Sequence, residues 1–330
     1  MALPKESFYG DSMAFFALPG QPPRFAPGSR PRLKLAQLTS VKPFVRDLGE
    51  VIKEHDDFKK TVLANPNVYE VRIREDLDRA ASIGVLFGLQ NAPEHLTLAD
   101  LWMLQQHNVK FMSLAYDAAT EYGGGFLSER VDDRLTTRGK KVIEWMAQVG
   151  ITLDLSHAGH FTMFEAMEYI RQRNLPIWVV ATHSGCYSVC PHPRNLPDEI
   201  LKAIDYAGMP GISFFLGPKD SNPLERMARH AECAISVMGK GKVGIGSDCP
   251  HVSMTMEEAG ANFKRMQEML KTGGSFGEFF PDRPPELIKH GANMFKVIEH
   301  SPHMELVLKS DPGVLGANFR NFLDLSLPPV

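Results

Sequence analysis

The chain has 330 residues, 43% of them hydrophobic and 23% charged, with a formal charge of -3. That length buries a large core, and a near-neutral balance without a basic run gives a nucleic acid nothing to bind. Met1 to Gly20 carries Lys5, Glu6 and Asp11 without a continuous apolar stretch, and no run elsewhere is long enough to cross a bilayer, so no signal peptide and no membrane association are expected. The four cysteines, Cys186, Cys190, Cys233 and Cys249, fit neither a CxxC motif nor a disulfide framework, which predicts a reducing, cytoplasmic setting.

In chain order, the stretch from about 17 to 34 is rich in Pro and Gly and reads as an arm rather than regular structure. Apolar spacing predicts a helix over Asp47 to Ala64. Val68 to Ile73 reads as a strand and Arg74 to Ala81 as a short helix. Ile83 to Leu89 is a continuous apolar run, the pattern of a strand buried on both faces. Helix Leu98 to His107 and strand Val109 to Leu114 follow, then an amphipathic helix Thr137 to Val149 entered from a Thr136–Thr137 cap. The alternation continues through strand Thr152 to Leu155, helix Thr162 to Arg173, strand Ile177 to Thr182 and helix Pro197 to Tyr206. Strand Gly211 to Phe215, helix Pro223 to Met238 and strand Val243 to Ile245 complete it. Seven strands are clear and the first is hidden near the N-terminus. Repeated βα units predict parallel strands under covering helices, a (β/α)8 barrel formed as one domain over 1–330, with a C-terminal extension over about 301–330.

Polar residues at the ends of successive strands form an ordered set. Asp154-Leu155-Ser156-His157 and Ala181-Thr182-His183-Ser184 come first; Val189-Cys190-Pro191-His192-Pro193-Arg194-Asn195 and Gly244-Ile245-Gly246-Ser247-Asp248 follow. The C-terminal strand ends are where such a barrel places its chemistry. Two imidazoles, a guanidinium and a carboxylate are thus expected in one pocket.

These motifs, DLSH, HS followed by VCxHPRN, and GIGSD, resemble those of the membrane (renal) dipeptidase family of metallopeptidases, most densely from about Gly84 to Asp248. The resemblance implies a metal-dependent hydrolase, a dipeptide or other small-molecule substrate and a homodimer. It also implies a set of site residues: an HxD pair on the first strand, a bridging Glu on a later strand and metal-binding His at His157 and His183. A third His contacting substrate, an Arg at Arg194 and an Asp at Asp248 complete the set.

Half of that set is replaced. The HxD position falls in Asp11 to Phe15, with Met13 for the His and Phe15 for the Asp; Gln90 stands for the bridging Glu and Tyr116 for the substrate-contacting His. A neutral amide cannot join two divalent cations as a carboxylate does, and a thioether suits a hydrolytic Zn²⁺ poorly. The expected cofactor is therefore zinc at no more than one ion per chain, held by His157, His183 and Asp248, or none.

Two functions follow. One is a dipeptidase-like hydrolase of a dipeptide or another small carboxylate-bearing amide: Arg194 grips the carboxylate, and Asp248, with Tyr116 beside it, acts in catalysis. Tyr116, Gln90 and Asn91 complete the substrate pocket. The alternative is a non-hydrolytic enzyme or metal-free pseudoenzyme that binds a small carboxylated ligand on the same barrel. The bland readings are a loop or surface His192, a small buried Cys186 and, for Gly123-Gly124-Gly125, a flexible active-site loop rather than an anion cradle.

Overall fold

The computed structural model describes residues 8–15, 32–79, 82–128, 134–210, 223–250 and 301–329, with 255, 257, 260, 261 and 264. Ten strands form one sheet: β1 Tyr9–Phe15, β2 Leu33–Thr39, β3 Val68–Glu70, β4 Ile83–Leu89, β5 Val109–Met112, β6 Thr152–Asp154, β7 Val179–Ala181, β8 Tyr206–Pro210, β9 Val243–Gly246 and β10 Cys249–Pro250. All pairings are parallel. The order β1-β2-β4-β5-β6-β7-β8-β9 closes on itself where Asp11 of β1 pairs with Ile245 of β9. This closed, eight-membered ring is the predicted (β/α)8 barrel. β3 adds to the outside of β4, and β10 to the end of β1.

The covering helices among the described residues are α1 Leu48–Leu63, α2 Leu98–Gln106, α3 Thr137–Val149, α4 His160–Arg173, α5 Asp198–Ala203 and α6 Pro223–Met238, with α7 Met304–Ser310 and α8 Ala317–Ser326 near the C-terminus. Their ends follow local chemistry. Asp47 accepts from Glu50 N at the start of α1, and Thr136 accepts from Gly139 N at the start of α3. Gly150 ends α3 with φ 77°, a left-handed cap that a side chain would strain. None of these helices is long and apolar enough to cross a membrane.

The main core lies between strands and helices, around Val85, Phe87, Met112, Leu153, Ile143 and Val243. Truncating one such side chain to Ala costs about 2–5 kcal/mol. A second cluster joins Leu35, Leu86, Val180 and Tyr206 inside the barrel to Phe319, Phe322 and Leu323 of α8, which plugs the end where the strands begin. The opposite end carries the polar motifs.

The structure corrects two segments. The Pro/Gly arm ends before Leu33, where β2 begins. The helix predicted over Pro197 to Tyr206 stops at Ala203, and Tyr206 opens β8. The strand placed at Gly211 to Phe215 lies outside the described residues; the seventh strand of the ring is Tyr206–Pro210. Its Gly208 and Pro210 disguise it, but a Cβ on Gly208 would sit 2.0 Å from Thr182 O, so this strand needs glycine to approach its neighbour.

Candidate active site

The two His motifs interlock. Asp154, at the end of β6, accepts from Ser156 N (2.9 Å), from Thr182 N (3.1 Å) and from the Thr182 hydroxyl (2.5 Å). Ser156 Oγ in turn accepts from His183 N at 3.1 Å. The Asp and Ser of the first motif therefore fix the backbone that delivers the histidine of the second. Burial pushes the Asp154 carboxyl up, opposed by these hydrogen bonds.

His157 and His183 meet at 2.9 Å between their Nε2 atoms. Each ring is held from behind. His157 Nδ1 lies 2.9 Å from Asp117 Oδ1, and His183 Nδ1 lies 2.8 Å from Thr182 Oγ1. Tyr116 stacks on His157, ring centroids 4.1 Å apart and 25° between planes. Burial, then the positive field of Arg194, holds both imidazoles well below their ordinary pKa; they are neutral at pH 7. Above about pH 7, where Asp117 has lost its proton, and with Asp154 as an acceptor, the protons can be placed. Thr182 gives its one hydroxyl proton to Asp154, so His183 Nδ1–H donates to Thr182, while His157 Nδ1–H donates to Asp117. Both Nε2 atoms then face each other as lone pairs, and such a contact needs a proton or a cation between them.

Arg194 is 1% exposed; its Nη1 donates to Ser184 Oγ at 2.7 Å. Its charge lies in the field of Asp248, Asp117, Asp154 and Tyr116. The surrounding HPRN turn is braced by His160 Nε2 against Asn195 O and by Gly185 N donating to Asn195 Oδ1. His192 lies in a loop, as one of its two readings has it, but is buried, and its Nδ1 accepts from Arg194 N. Asp248 follows β9, with its N–H donating to Met13 O at 3.0 Å. Burial and the nearby Asp11 and Asp117 raise its carboxyl to about 6 against the pull of Arg194. Both His157 (φ 72°) and Asp248 (φ 49°) have left-handed backbone, a strain of about 1–3 kcal/mol each that the surrounding hydrogen bonds hold in place.

Gln90 is buried at the end of β4 and donates from Nε2 to Met13 Sδ at 3.3 Å. Asn91 follows Gln90 in the chain. Its Nδ2 holds Pro43 O at 2.8 Å and so pins the loop whose Phe44 stands edge-on to Tyr116. The Gly123-Gly124-Gly125 run packs against the turn after His157, with Gly124 N on Thr162 Oγ1 and Gly125 N on Ala118 O. Those two N–H groups are thereby occupied within the protein. Cys186 is fully buried with its thiol on His230 O, as a packing residue.

Two further residues enter the site without a motif of their own. Asp117, adjacent to Tyr116, has one signal in the sequence: it is a carboxylate one residue past a strand-end position already singled out. Burial raises it to about 7, opposed by Arg194. Asp11 accepts from Ser247 N at 2.8 Å, Ser247 Oγ at 2.5 Å and Met13 N at 3.1 Å, fastening β1 to β9 just below Asp248.

A family model described as membrane dipeptidase, peptidase family M19, matches residues 32–275. The chain belongs to the membrane dipeptidase family. Its relatives include an uncharacterized protein in the pqqA 5' region of Klebsiella pneumoniae, 29% identical over 53% of this chain and 68% of that protein. Another is the dipeptidase aclJ of Aspergillus oryzae, 28% identical over 53% of this chain and 43% of that protein; the match spans less than half of the fungal dipeptidase. An amidohydrolase crystal structure from Pseudomonas aeruginosa shares the fold, with a TM-score of 0.70, 21% identity and coverage of 98% of this chain and 97% of that one.

Within this membrane dipeptidase fold, Met13 and Gln90, the positions assigned by resemblance to a metal-binding His and the bridging Glu, touch each other. Met13 offers only a soft thioether, and Gln90 a neutral amide that cannot bridge two divalent cations as a carboxylate does. Among the described residues, no group of three or more His, Cys, Asp or Glu side chains is arranged around one point as a metal site. The residues present do not fit a two-ion centre. The His157–His183 pair has nearly the spacing of two ligands of one ion: with Zn–N bonds of about 2.0–2.1 Å and tetrahedral geometry, two such donors stand about 3.3 Å apart, a small opening of the observed contact; Asp248, expected as the third ligand, is not grouped with them into a metal site among the described residues.

Proposed function

We propose that this protein is a hydrolase of small amides bearing a free carboxylate, dipeptides or N-acyl amino acids, with one divalent ion at most, zinc by donor chemistry, held by His157 and His183. The observation that carries this reading is the 2.9 Å approach of two Nε2 atoms whose Nδ1 sides are both engaged by oxygen. An oxygen partner behind a ligating histidine fixes its tautomer and raises its basicity. An ion bound there would supply Lewis acidity towards the amide carbonyl.

The chain's own residues supply the rest. Arg194, buried and already oriented by Ser184, binds the substrate carboxylate through its planar fork. Asp248, raised to about 6, is ionised at pH 7 yet close enough in pKa to accept the proton of the attacking water and return it to the leaving amine. Tyr116 and Phe44 form an aromatic wall beside the histidines, which helps exclude water.

The Met13–Gln90 contact favours a second reading: a carboxylate-binding protein without turnover. One experiment separates the two. Purified protein is analysed for bound metal and assayed on a panel of dipeptides and N-acyl amino acids with and without Zn²⁺. Hydrolysis that is lost in Asp248→Asn supports the hydrolase. Saturable ligand binding that needs Arg194, with no turnover and no ion, supports the second reading.

A further inference from the structure

The most exposed large apolar side chain among the described residues is Phe44, at 82%. A single exposed phenyl needs no explanation in itself; its surroundings set this one apart. It stands on the loop after β2, at the end of the barrel that carries His157 and His183. Its ring meets Tyr116 edge-on, with centroids 6.0 Å apart and 81° between planes, and Tyr116 in turn stacks on His157 at 4.1 Å. One aromatic ring therefore separates the phenyl from the imidazole pair.

The loop is fastened on both sides of Phe44. Asn91 Nδ2 donates to Pro43 O at 2.8 Å, Val45 N to Lys42 O at 3.1 Å and Glu94 N to Arg46 O at 2.8 Å. Its flanking charges are engaged. Lys42 Nζ pairs with Glu54 Oε1 at 2.9 Å, and Arg46 Nη1 with Glu94 Oε1 at 3.1 Å. The phenyl is thus presented by a backbone that is already ordered, which lowers the entropy lost when a ligand packs on it. Met13 and Gln90, in contact at the same mouth, are neutral as well. This side of the site favours an apolar group over an ammonium.

We propose that Phe44 is a specificity-determining residue that packs on an apolar acyl group, so that the substrate is an N-acyl amino acid with a large aliphatic or aromatic acyl chain rather than a dipeptide. The inference rests on the reading of the site as one for carboxylate-bearing amides: Arg194 takes the carboxylate at one end, and the phenyl takes the other. Each methylene moved from water onto this wall strengthens binding by up to about fourfold.

The test compares N-acetyl-, N-propanoyl-, N-hexanoyl- and N-benzoyl-alanine with alanyl-alanine. Wild type, Phe44→Ala and Phe44→Leu are assayed with Zn²⁺ present; the exposed position lets both variants fold. The hexanoyl-to-acetyl ratio of kcat/KM is expected to be at least about tenfold in wild type, to fall at least about fivefold in Phe44→Ala and to fall less in Phe44→Leu. A ratio cancels any general loss of activity in the variants. N-propanoyl-alanine differs from alanyl-alanine in lacking the ammonium, and it is expected to be the better substrate. Where no member is hydrolysed, dissociation constants of the same series by titration calorimetry replace kcat/KM. The same order, with the same loss in Phe44→Ala, then keeps this inference and removes only the hydrolase. The proposal is overturned by a flat acyl series, by a ratio unchanged in Phe44→Ala, by alanyl-alanine surpassing N-propanoyl-alanine, or by no binding of any member.

Discussion

Asp117 Oδ1 and His157 Nδ1 lie 2.9 Å apart, and this one contact decides which nitrogen of His157 faces the pocket. With the proton on Nδ1, Nε2 is free to meet His183. Asp117→Asn keeps the shape but replaces a carboxylate acceptor by an amide that also presents two donors. Zinc affinity, read by competition with a chelating dye, is expected to fall about 10–100-fold, with the circular dichroism spectrum unchanged. Because burial raises Asp117 to about 7, the wild-type affinity strengthens as pH rises through that value. Affinity unchanged by the substitution would release Asp117 from this role.

Activity is expected to have an acid limb set by Asp248. Its carboxyl is raised to about 6 by burial first and by Asp11 and Asp117 next. It is protonated and inert as a base below that pH and active above it, so kcat/KM rises through about pH 6. Neutral His157 and His183, whose pKa values lie well below the ordinary one, add no limb between about 6 and 8. For stability the sign is reversed. The folded state holds the Asp248 proton that the unfolded chain has released, so this group favours folding most below its ordinary carboxyl pKa and loses that contribution as pH rises through about 6. A pH–rate profile of the wild type checks for the acid limb.

Gln90→Glu probes the position that would bridge two metals. The new carboxylate is buried against Met13 Sδ, which cannot donate to it. In chelator the variant is expected to be less stable by about 1–3 kcal/mol, the cost of an unsatisfied buried polar group. Added Zn²⁺ restores part of that loss if the carboxylate reaches a cation near His157 and His183. A melting temperature indifferent to both changes would place Gln90 away from the metal.

How far the sequence carries is uneven, and the reasons are physical. Ile83 to Leu89 and Thr137 to Val149 are legible because burial period and cap chemistry are local; the observed β4 and α3 have those same bounds. β8 is not, because the property that fits it, a glycine allowing close approach to Thr182, weakens the strand pattern. His157, His183, Arg194 and Asp248 are legible from their order at strand ends, and the structure gathers them at one mouth. The parts played by Asn91 and Asp117 are hidden because each depends on a partner distant in sequence: Pro43 for the first, His157 for the second.

Glu70 is expected to matter for stability rather than chemistry. Although burial works against it, bonds from Lys59, Asn108 and Arg72 hold its carboxyl below the ordinary range. The folded state therefore binds this proton less readily than the unfolded one. The contribution is present above the ordinary glutamate pKa and is lost as pH falls through the lowered value. Glu70→Gln should cost about 2 kcal/mol at pH 7 and much less near pH 3; urea unfolding at the two values measures both.

The left-handed backbone at His157 and Asp248 sets a direction for sequence drift. Glycine and asparagine adopt that conformation with less strain, so a library of this chain selected only for heat resistance should collect Gly or Asn at Asp248, the more exposed of the two. One selected for turnover should keep Asp. Comparing the two selections would show, without any substrate assigned in advance, whether the mouth of this barrel is still maintained for chemistry.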